Sequence, residues 1–169
     1  MNAKKYNVFV SVNVIASGRR SRTRDAIGAV RHVFLDADHD GPAVLSRVEA
    51  RRDLPSPSYI LHSSPNHIHL FWRVTGFDPD AVERLQKQLA RELQTDPAAT
   101  PVTQNTRLPG FFNHKRARPH LVTIEYRNTS RLYIPTDFPP IEDANPWPES
   151  IGPRQPRNGE LPVIDRAKR

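Results

Sequence analysis

The chain has no cysteine and a single methionine among its 169 residues. Without thiols, a disulfide framework, a Cys-ligated zinc site and an iron–sulfur cluster are all excluded. Long apolar runs are missing too, and nothing approaches the roughly 20 residues of a membrane-spanning helix. The opening Met1-Asn2-Ala3-Lys4-Lys5-Tyr6 lacks the apolar segment of a secretory signal. A soluble, cytoplasmic protein is the expectation. Glycine is scarce, with seven residues, whereas proline is abundant, with 17. Seven of those prolines fall within residues 139–169, where apolar periodicity ends. This predicts one folded unit over residues 1–138 and a Pro-rich, extended or disordered tail over 139–169.

Basic residues outnumber acidic ones by 25 to 18, a formal charge of +7. Residues 1–35 hold seven basic groups and one acidic, and residues 107–131 hold six and one. Between them, residues 36–106 carry ten acidic groups against seven basic. Two basic segments flanking an acidic middle suit a polyanionic partner such as nucleic acid or a nucleotide.

Apolar patterning alternates between two periods. Residues 6–14 read as a strand, and residues 17–24 as a basic, Gly-containing loop. Residues 30–38 read as a buried strand ending in carboxylates. Gly41-Pro42 opens a helix to about residue 52, and residues 59–62 and 67–74 form two strands around a Ser63-Ser64-Pro65-Asn66 turn. Asp78 caps a second helix with Pro79 at its first position, and Val82, Leu85, Leu89 and Leu93 form its apolar stripe. Strands over 106–112 and 121–126 complete a β-α-β-β-α-β order. The predicted fold is α+β, an RNA-recognition-like or ferredoxin-like antiparallel sheet with helices on one face and an N-terminal strand extension.

Three groups of residues carry chemistry. Asp36 and Asp38, two apart on a strand, point to one face, and their mutual repulsion is relieved by a hard divalent ion such as Mg²⁺ or Mn²⁺. Equally, Asp38-His39-Asp40-Gly41 has the composition of an ordinary turn. In the second group, alternation places His67, His69, Phe71 and Arg73 on the open face of their strand. Ile68, Leu70, Trp72 and Val74 then face the helices. The preceding Ser63, Ser64 and Asn66 offer hydroxyls and N–H groups suited to phosphate oxygens. The third group is Asp96, read at a helix end where a carboxylate is unfavourable, followed by Arg107, His114 and Lys115. These cations suit a triphosphate or a template backbone.

Taken together, Phe34-Leu35-Asp36-Ala37-Asp38, Ser64-Pro65-Asn66-His67-Ile68-His69, Asp96-Pro97-Ala98-Ala99-Thr100, Arg107-Leu108-Pro109-Gly110-Phe111 and Asn113-His114-Lys115 resemble the RepB-type plasmid primases. Those belong to the archaeo-eukaryotic primase, or primase-polymerase, superfamily. The resemblance covers residues 30–127. It implies a primase-polymerase catalytic domain, with Asp36 and Asp38 as the DxD metal motif and His69 as the phosphate-contacting histidine of Ser-x-His. Asp96 best matches the third carboxylate. Pro65 and His67 stand where relatives often carry glycine, and Thr103-Gln104 where some carry an acidic residue. Ser63, Ser64, Asn66, His67, His69, Arg107, His114 and Lys115 are the residues expected to bind nucleotide. Arg19, Arg20, Arg22, Arg24, Arg73, Arg116 and Arg118 are expected on single-stranded DNA, with Phe71, Phe111 and Phe112 available for stacking. Two Mg²⁺ or Mn²⁺ ions, an NTP or dNTP, and a replicative helicase in trans are the expected cofactors and partners.

Two other readings compete. His67-Ile68-His69 fits the His-hydrophobic-His motif of HUH endonucleases, which need a nucleophilic tyrosine drawn from Tyr6, Tyr59, Tyr126 or Tyr133. A non-catalytic single-strand-binding module would use the basic segments alone.

Overall fold

The computed structural model describes residues 4–142, so the predicted tail lies outside the described residues from position 143 onward. Along the chain run β1 (Phe9–Ser11), β2 (Val14–Ile15), β3 (Ile27–Ala29), β4 (His32–Ala37), α1 (Gly41–Ala50), β5 (Tyr59–Ser64), β6 (His67–Arg73), α2 (Pro79–Leu93), β7 (Asn105–Arg107), β8 (Phe112–Asn113), β9 (His120–Leu121) and β10 (Thr123–Tyr126). Among the described residues, no helix is long and apolar enough to cross a membrane.

The second helix follows its sequence closely. The Asp78 carboxylate accepts from the Ala81 N–H at 2.7 Å, and Pro79 occupies the first turn, where its missing N–H costs nothing. Val82, Leu85, Leu89 and Leu93 are all buried, packed in one cluster with Val33, Leu35, Leu70 and Trp72 of the sheet. Each such buried side chain is worth about 1.5–3 kcal/mol, so this face carries most of the stability. Gln94 then adopts a left-handed conformation (φ 57°) and ends the helix.

Strands β10, β5, β6 and β4 form the central sheet in that order, every pairing antiparallel. From β4 onward the β-α-β-β-α-β order is present, with the last strand lying against β5. The outer edge of β4 is closed differently. The buried Gln86 of α2 accepts from the Phe34 N–H at 2.9 Å and donates to the Thr100 carbonyl at 2.6 Å. Further along the same edge, the Asp96 N–H donates to the Asp36 carbonyl at 2.9 Å. An exposed row of backbone groups is thereby satisfied without a neighbouring strand.

Three expectations need correction. The strand predicted over 6–14 is two short ones, because Asn13 breaks it. Its amide oxygen accepts from the Arg31 and His32 N–H groups at 2.8 and 3.1 Å, and its nitrogen donates to the Val102 carbonyl at 3.1 Å. The strand predicted over 106–112 is likewise divided at Pro109-Gly110, where Gly110 needs a positive φ of 83°. Finally, the sheet face away from the helices is not open. The β1–β7 ribbon accompanies it, and Phe71 is buried with Val12, Phe34, Leu61 and Val122. Phe71 is a core residue, so it cannot stack on a base. At the start of the predicted tail, Pro140 and Glu142 bond to Gln88 of α2 through their backbones.

Candidate active site

Strand β4 delivers Asp36 from its penultimate position, and Asp38 follows just beyond its end. The third carboxylate arrives from the other side of α2. The sequence suggested that Asp96 sits at the negative end of a helix, but the left-handed Gln94 has already ended α2. Asp96 instead caps a new 3₁₀ turn, Pro97–Ala99, accepting from the Ala98 N–H at 2.8 Å. Its charge therefore meets free N–H groups rather than carbonyls. One carboxylate oxygen from each of Asp36, Asp38 and Asp96 lies within 4.8 Å of the other two.

Asp36 is the most confined of the three. Burial, followed by the neighbouring charges of Asp38 and Asp96, pushes its carboxyl up to about 7, against a smaller opposing pull from Lys115. Its Oδ1 is buried without a hydrogen-bond partner, and His69 Nε2 approaches to 3.4 Å outside hydrogen-bond geometry. An orphaned buried oxygen among three converging carboxylates fits a hard divalent cation, which prefers such ligands.

The two histidines of β6 face this group in different ways. His69 is buried, with Nδ1 held by the Thr106 hydroxyl at 2.7 Å and the ring edge-on to Phe34. Burial lowers its pKa to about 4 against a smaller opposing pull from Asp38, with Arg107 and His67 adding to the fall, so the ring is neutral at pH 7. His67 has its Nδ1 3.3 Å from Asp38 and its Nε2 3.1 Å from the Arg116 guanidinium. Arginine can only donate, which leaves the ring proton on Nδ1, facing the carboxylate.

These groups line a crater of about 190 Å³. Of the residues expected from the sequence, Asp36, Asp38, Ser63, Ser64, His67, His69, Arg107, Lys115 and Arg116 meet there. Asp96 closes the carboxylate group from behind. Arg107 lies over the Phe9 ring at 4.9 Å and donates to Asn7 at 2.9 Å. The sequence reading missed Phe9, Gln104, Asn105, Thr106 and Asn113 in the lining. Alternation could not have found Thr106, since it places that side chain on the face of β7 opposite Arg107, yet both line the crater.

Other expected residues lie elsewhere. Asn66 is at the hairpin tip in a left-handed conformation, and its carbonyl accepts from the Gly41 N–H at 2.8 Å. A Cβ on Gly41 would come within 2.9 Å of that carbonyl, so this close approach needs glycine. Asn66 thus fixes the loop that follows Asp38 rather than lining the crater. His114 is also outside it, its N–H bonded to Asn7 at 2.9 Å. Arg118 lines an adjoining cavity of about 420 Å³ together with Arg116 and His120.

Arg73 is at the far end of β6, bonded to the Thr129 carbonyl. In the basic loop, Arg19 is 3.8 Å from Asp25, Arg22 donates to the Thr103 carbonyl, and Arg24 pairs with Asp80 and Glu83. Arg20 is exposed. Partners within the chain engage Arg19, Arg22, Arg24 and Arg73, and neither these nor Arg20 lines the crater. Phe112 is exposed and Phe111 half-buried, both outside the crater.

Three carboxylates thus face a buried histidine and three cations beside the end of the central sheet, an arrangement suited to a divalent cation and a polyphosphate. Residues 1–136 match the family model of the RepB DNA-primase N-terminal domain, and the chain belongs to that family. Among solved structures it is similar to the AEP domain of the cyanophage S-2L primase-polymerase, with a TM-score of 0.62 and 24% identity over 76% of this chain. It is also similar to primase RepB′ (TM-score 0.50, 22% identity) and to the catalytic domain of RepB′ in complex with initiator DNA (TM-score 0.50, 23% identity), each over 59% of this chain. The chain spans 66%, 35% and 52% of those three chains, and at these identities the likeness is one of fold. Comparison with the curated proteins finds no match.

Proposed function

We propose that this chain is the catalytic domain of a DNA primase or primase-polymerase, joining nucleotides on a single-stranded DNA template during replication or repair. The observation that carries the reading is the placement of three carboxylate oxygens within 4.8 Å, one of them buried without a partner, opposite a cationic wall. Asp36, Asp38 and Asp96 would hold Mg²⁺ or Mn²⁺, which when bound acidifies the attacking hydroxyl and neutralises charge building on the α-phosphate.

The chain's own side chains supply the rest. Arg107, Lys115 and Arg116 bind the β- and γ-phosphates of the incoming NTP or dNTP and stabilise the departing pyrophosphate. With its Nδ1 taken up by the Thr106 hydroxyl, neutral His69 turns Nε2 towards a phosphate oxygen without adding a buried charge. His67 orients Asp38 through its Nδ1 proton, and Ser63 and Ser64 border the phosphates. Arg118 on the β8–β9 hairpin, and exposed Arg20, are the arginines best placed for template phosphates. A replicative helicase acting in trans, and residence in the cytoplasm, accord with this role.

The nuclease alternative lacks support, because no tyrosine lines the crater. The Tyr59 hydroxyl is bonded to His32 and that of Tyr133 to the Ser56 carbonyl. The test is incorporation of labelled nucleotides on unprimed and primed single strands with Mg²⁺ or Mn²⁺. Wild type should form metal-dependent products, and Asp36→Ala should lose them by about 10³-fold or more, given the several kcal/mol that metal stabilisation contributes. Normal extension by Asp36→Ala would overturn the assignment.

A further inference from the structure

Two ways of holding an arginine coexist in this fold. Away from the crater, Arg24 is met by the carboxylates of Asp80 and Glu83, and Arg127 by those of Glu49 and Glu125. Bonding to Glu83 above all raises the pKa of Arg24, and bonding to Glu49 that of Arg127. Arg107, in the crater wall, is held differently. Among the described residues no carboxylate forms an ion pair with it. Burial lowers its pKa, against an opposing pull from Asp36.

Its partners are neutral and come from the N-terminal segment. Arg107 Nη1 donates to Asn7 Oδ1 at 2.9 Å, and the guanidinium carbon lies 4.9 Å from the centre of the Phe9 ring. Antiparallel pairing sets Phe9 directly opposite Arg107, and the Leu108 N–H donates to the Val8 carbonyl at 3.0 Å. The same Asn7 oxygen accepts from the His114 N–H at 2.9 Å. His114 precedes Lys115, whose own N–H donates to Asn113 Oδ1 at 3.0 Å. One amide oxygen therefore ties β7 to the segment after β8, the two pieces of chain that carry Arg107 and Lys115. Asn7 and Phe9 are both exposed, so burial gives little reason for these contacts.

The chemistry of the acceptor decides what such a contact can do. Asn7→Asp would keep an oxygen for both donors and strengthen the bond to the guanidinium. Its charge would also cancel that of Arg107 and repel a polyphosphate. An amide aims the guanidinium and leaves its charge to the ligand. Resting on the primase reading above, we propose that Asn7 is a positioning residue of the nucleotide site, holding Arg107 on the crater wall with its charge uncancelled and so setting affinity for the triphosphate. Phe9 supports the same guanidinium from the side, again without neutralising it.

Nucleotide incorporation on a primed single strand, joined to calorimetric titration of ATP and dATP in Mg²⁺, tests this on the full chain. Asn7→Ala should raise KM and Kd for nucleotide by about three- to tenfold, the worth of one hydrogen bond, with KM for the primed end unchanged. In an Arg107→Ala background the same substitution should add less than about twofold, because the two residues act together. Asn7→Asp should melt no lower than Asn7→Ala yet bind nucleotide about tenfold or more weakly than wild type. If Asn7→Asp keeps wild-type affinity, or the effects of Asn7→Ala and Arg107→Ala simply multiply, Asn7 only fastens the segment and the proposal is overturned while the primase reading survives. If nucleotide binds and the variants behave as expected but no template supports incorporation, the primase reading falls and Asn7 keeps its role. If wild type binds neither nucleotide, both fall together.

Discussion

On one face β6 presents Ile68, Leu70 and Trp72 to the helices, with Val74 just beyond its end, and all four are buried in a single apolar cluster. On the other face the same strand presents His67, His69 and Phe71. There the apolar cluster is small, and buried polar groups such as Ser63, Thr106 and Asn113 crowd the crater. The helix-covered side is held by area removed from water, which depends on fit and volume more than on any one partner. The crater side is held by specific pairings, and it tolerates an unpaired carboxylate oxygen that burial makes costly. Stability and chemistry are thus separated by the thickness of one strand.

That separation can be broken from either side. The largest effect is expected from Leu85→Ala on the helix face, with a loss of about 2–5 kcal/mol in chemical denaturation, because a fully buried leucine leaves a cavity. Asp36→Asn should act in the opposite sense. Between the unfolded value of 3.8 and the folded value of about 7, the native state retains a proton that the unfolded chain has lost, so wild-type stability falls as pH rises through that window. Asn cannot titrate. In chelator, its stability advantage over wild type should therefore grow from pH 4 to pH 7, reaching on the order of 1–3 kcal/mol.

His69 contributes with the other sign between about 4 and 6.5, but it is present in both proteins and largely cancels in the difference. An advantage that shrinks with pH would refute the burial of the Asp36 charge. Thr106→Val is the smallest perturbation. It removes the bond to His69 Nδ1 at a cost of about 1 kcal/mol, and His69 should then titrate with a different pKa by NMR while the fold persists. An unchanged titration would remove Thr106 as its positioning residue.

How much of this was legible beforehand depends on the range of each signal. Period-two alternation correctly put Asp36 with Asp38 and His67 with His69, and the stripe of α2 was plain from Val82 to Leu93. Contacts between distant residues left no local trace. Asn13 bonds to Val102, Gln86 reaches Phe34, and Asn7 holds Arg107, all far apart in sequence. Phe71 was misread for the same reason, since nothing near it announces that residues from the N-terminal segment and the loop after β9 cover its face. Asp96 matched by resemblance, but its setting depended on a left-handed glutamine that composition does not signal. The basic loop misled because charge counts do not reveal that Asp80 and Glu83 engage Arg24.

The bond from the Asp96 N–H to the Asp36 carbonyl has a consequence for solubility. The same peptide group that brings the third carboxylate home also seals the outer edge of β4. A chain cut before residue 96 would leave the Asp36 C=O bare on that edge, while Gln86 still held the Phe34 N–H. Losing the third carboxylate by truncation would therefore also open part of the sheet edge to pairing with a second copy, whereas Asp96→Ala, which keeps the backbone, would not.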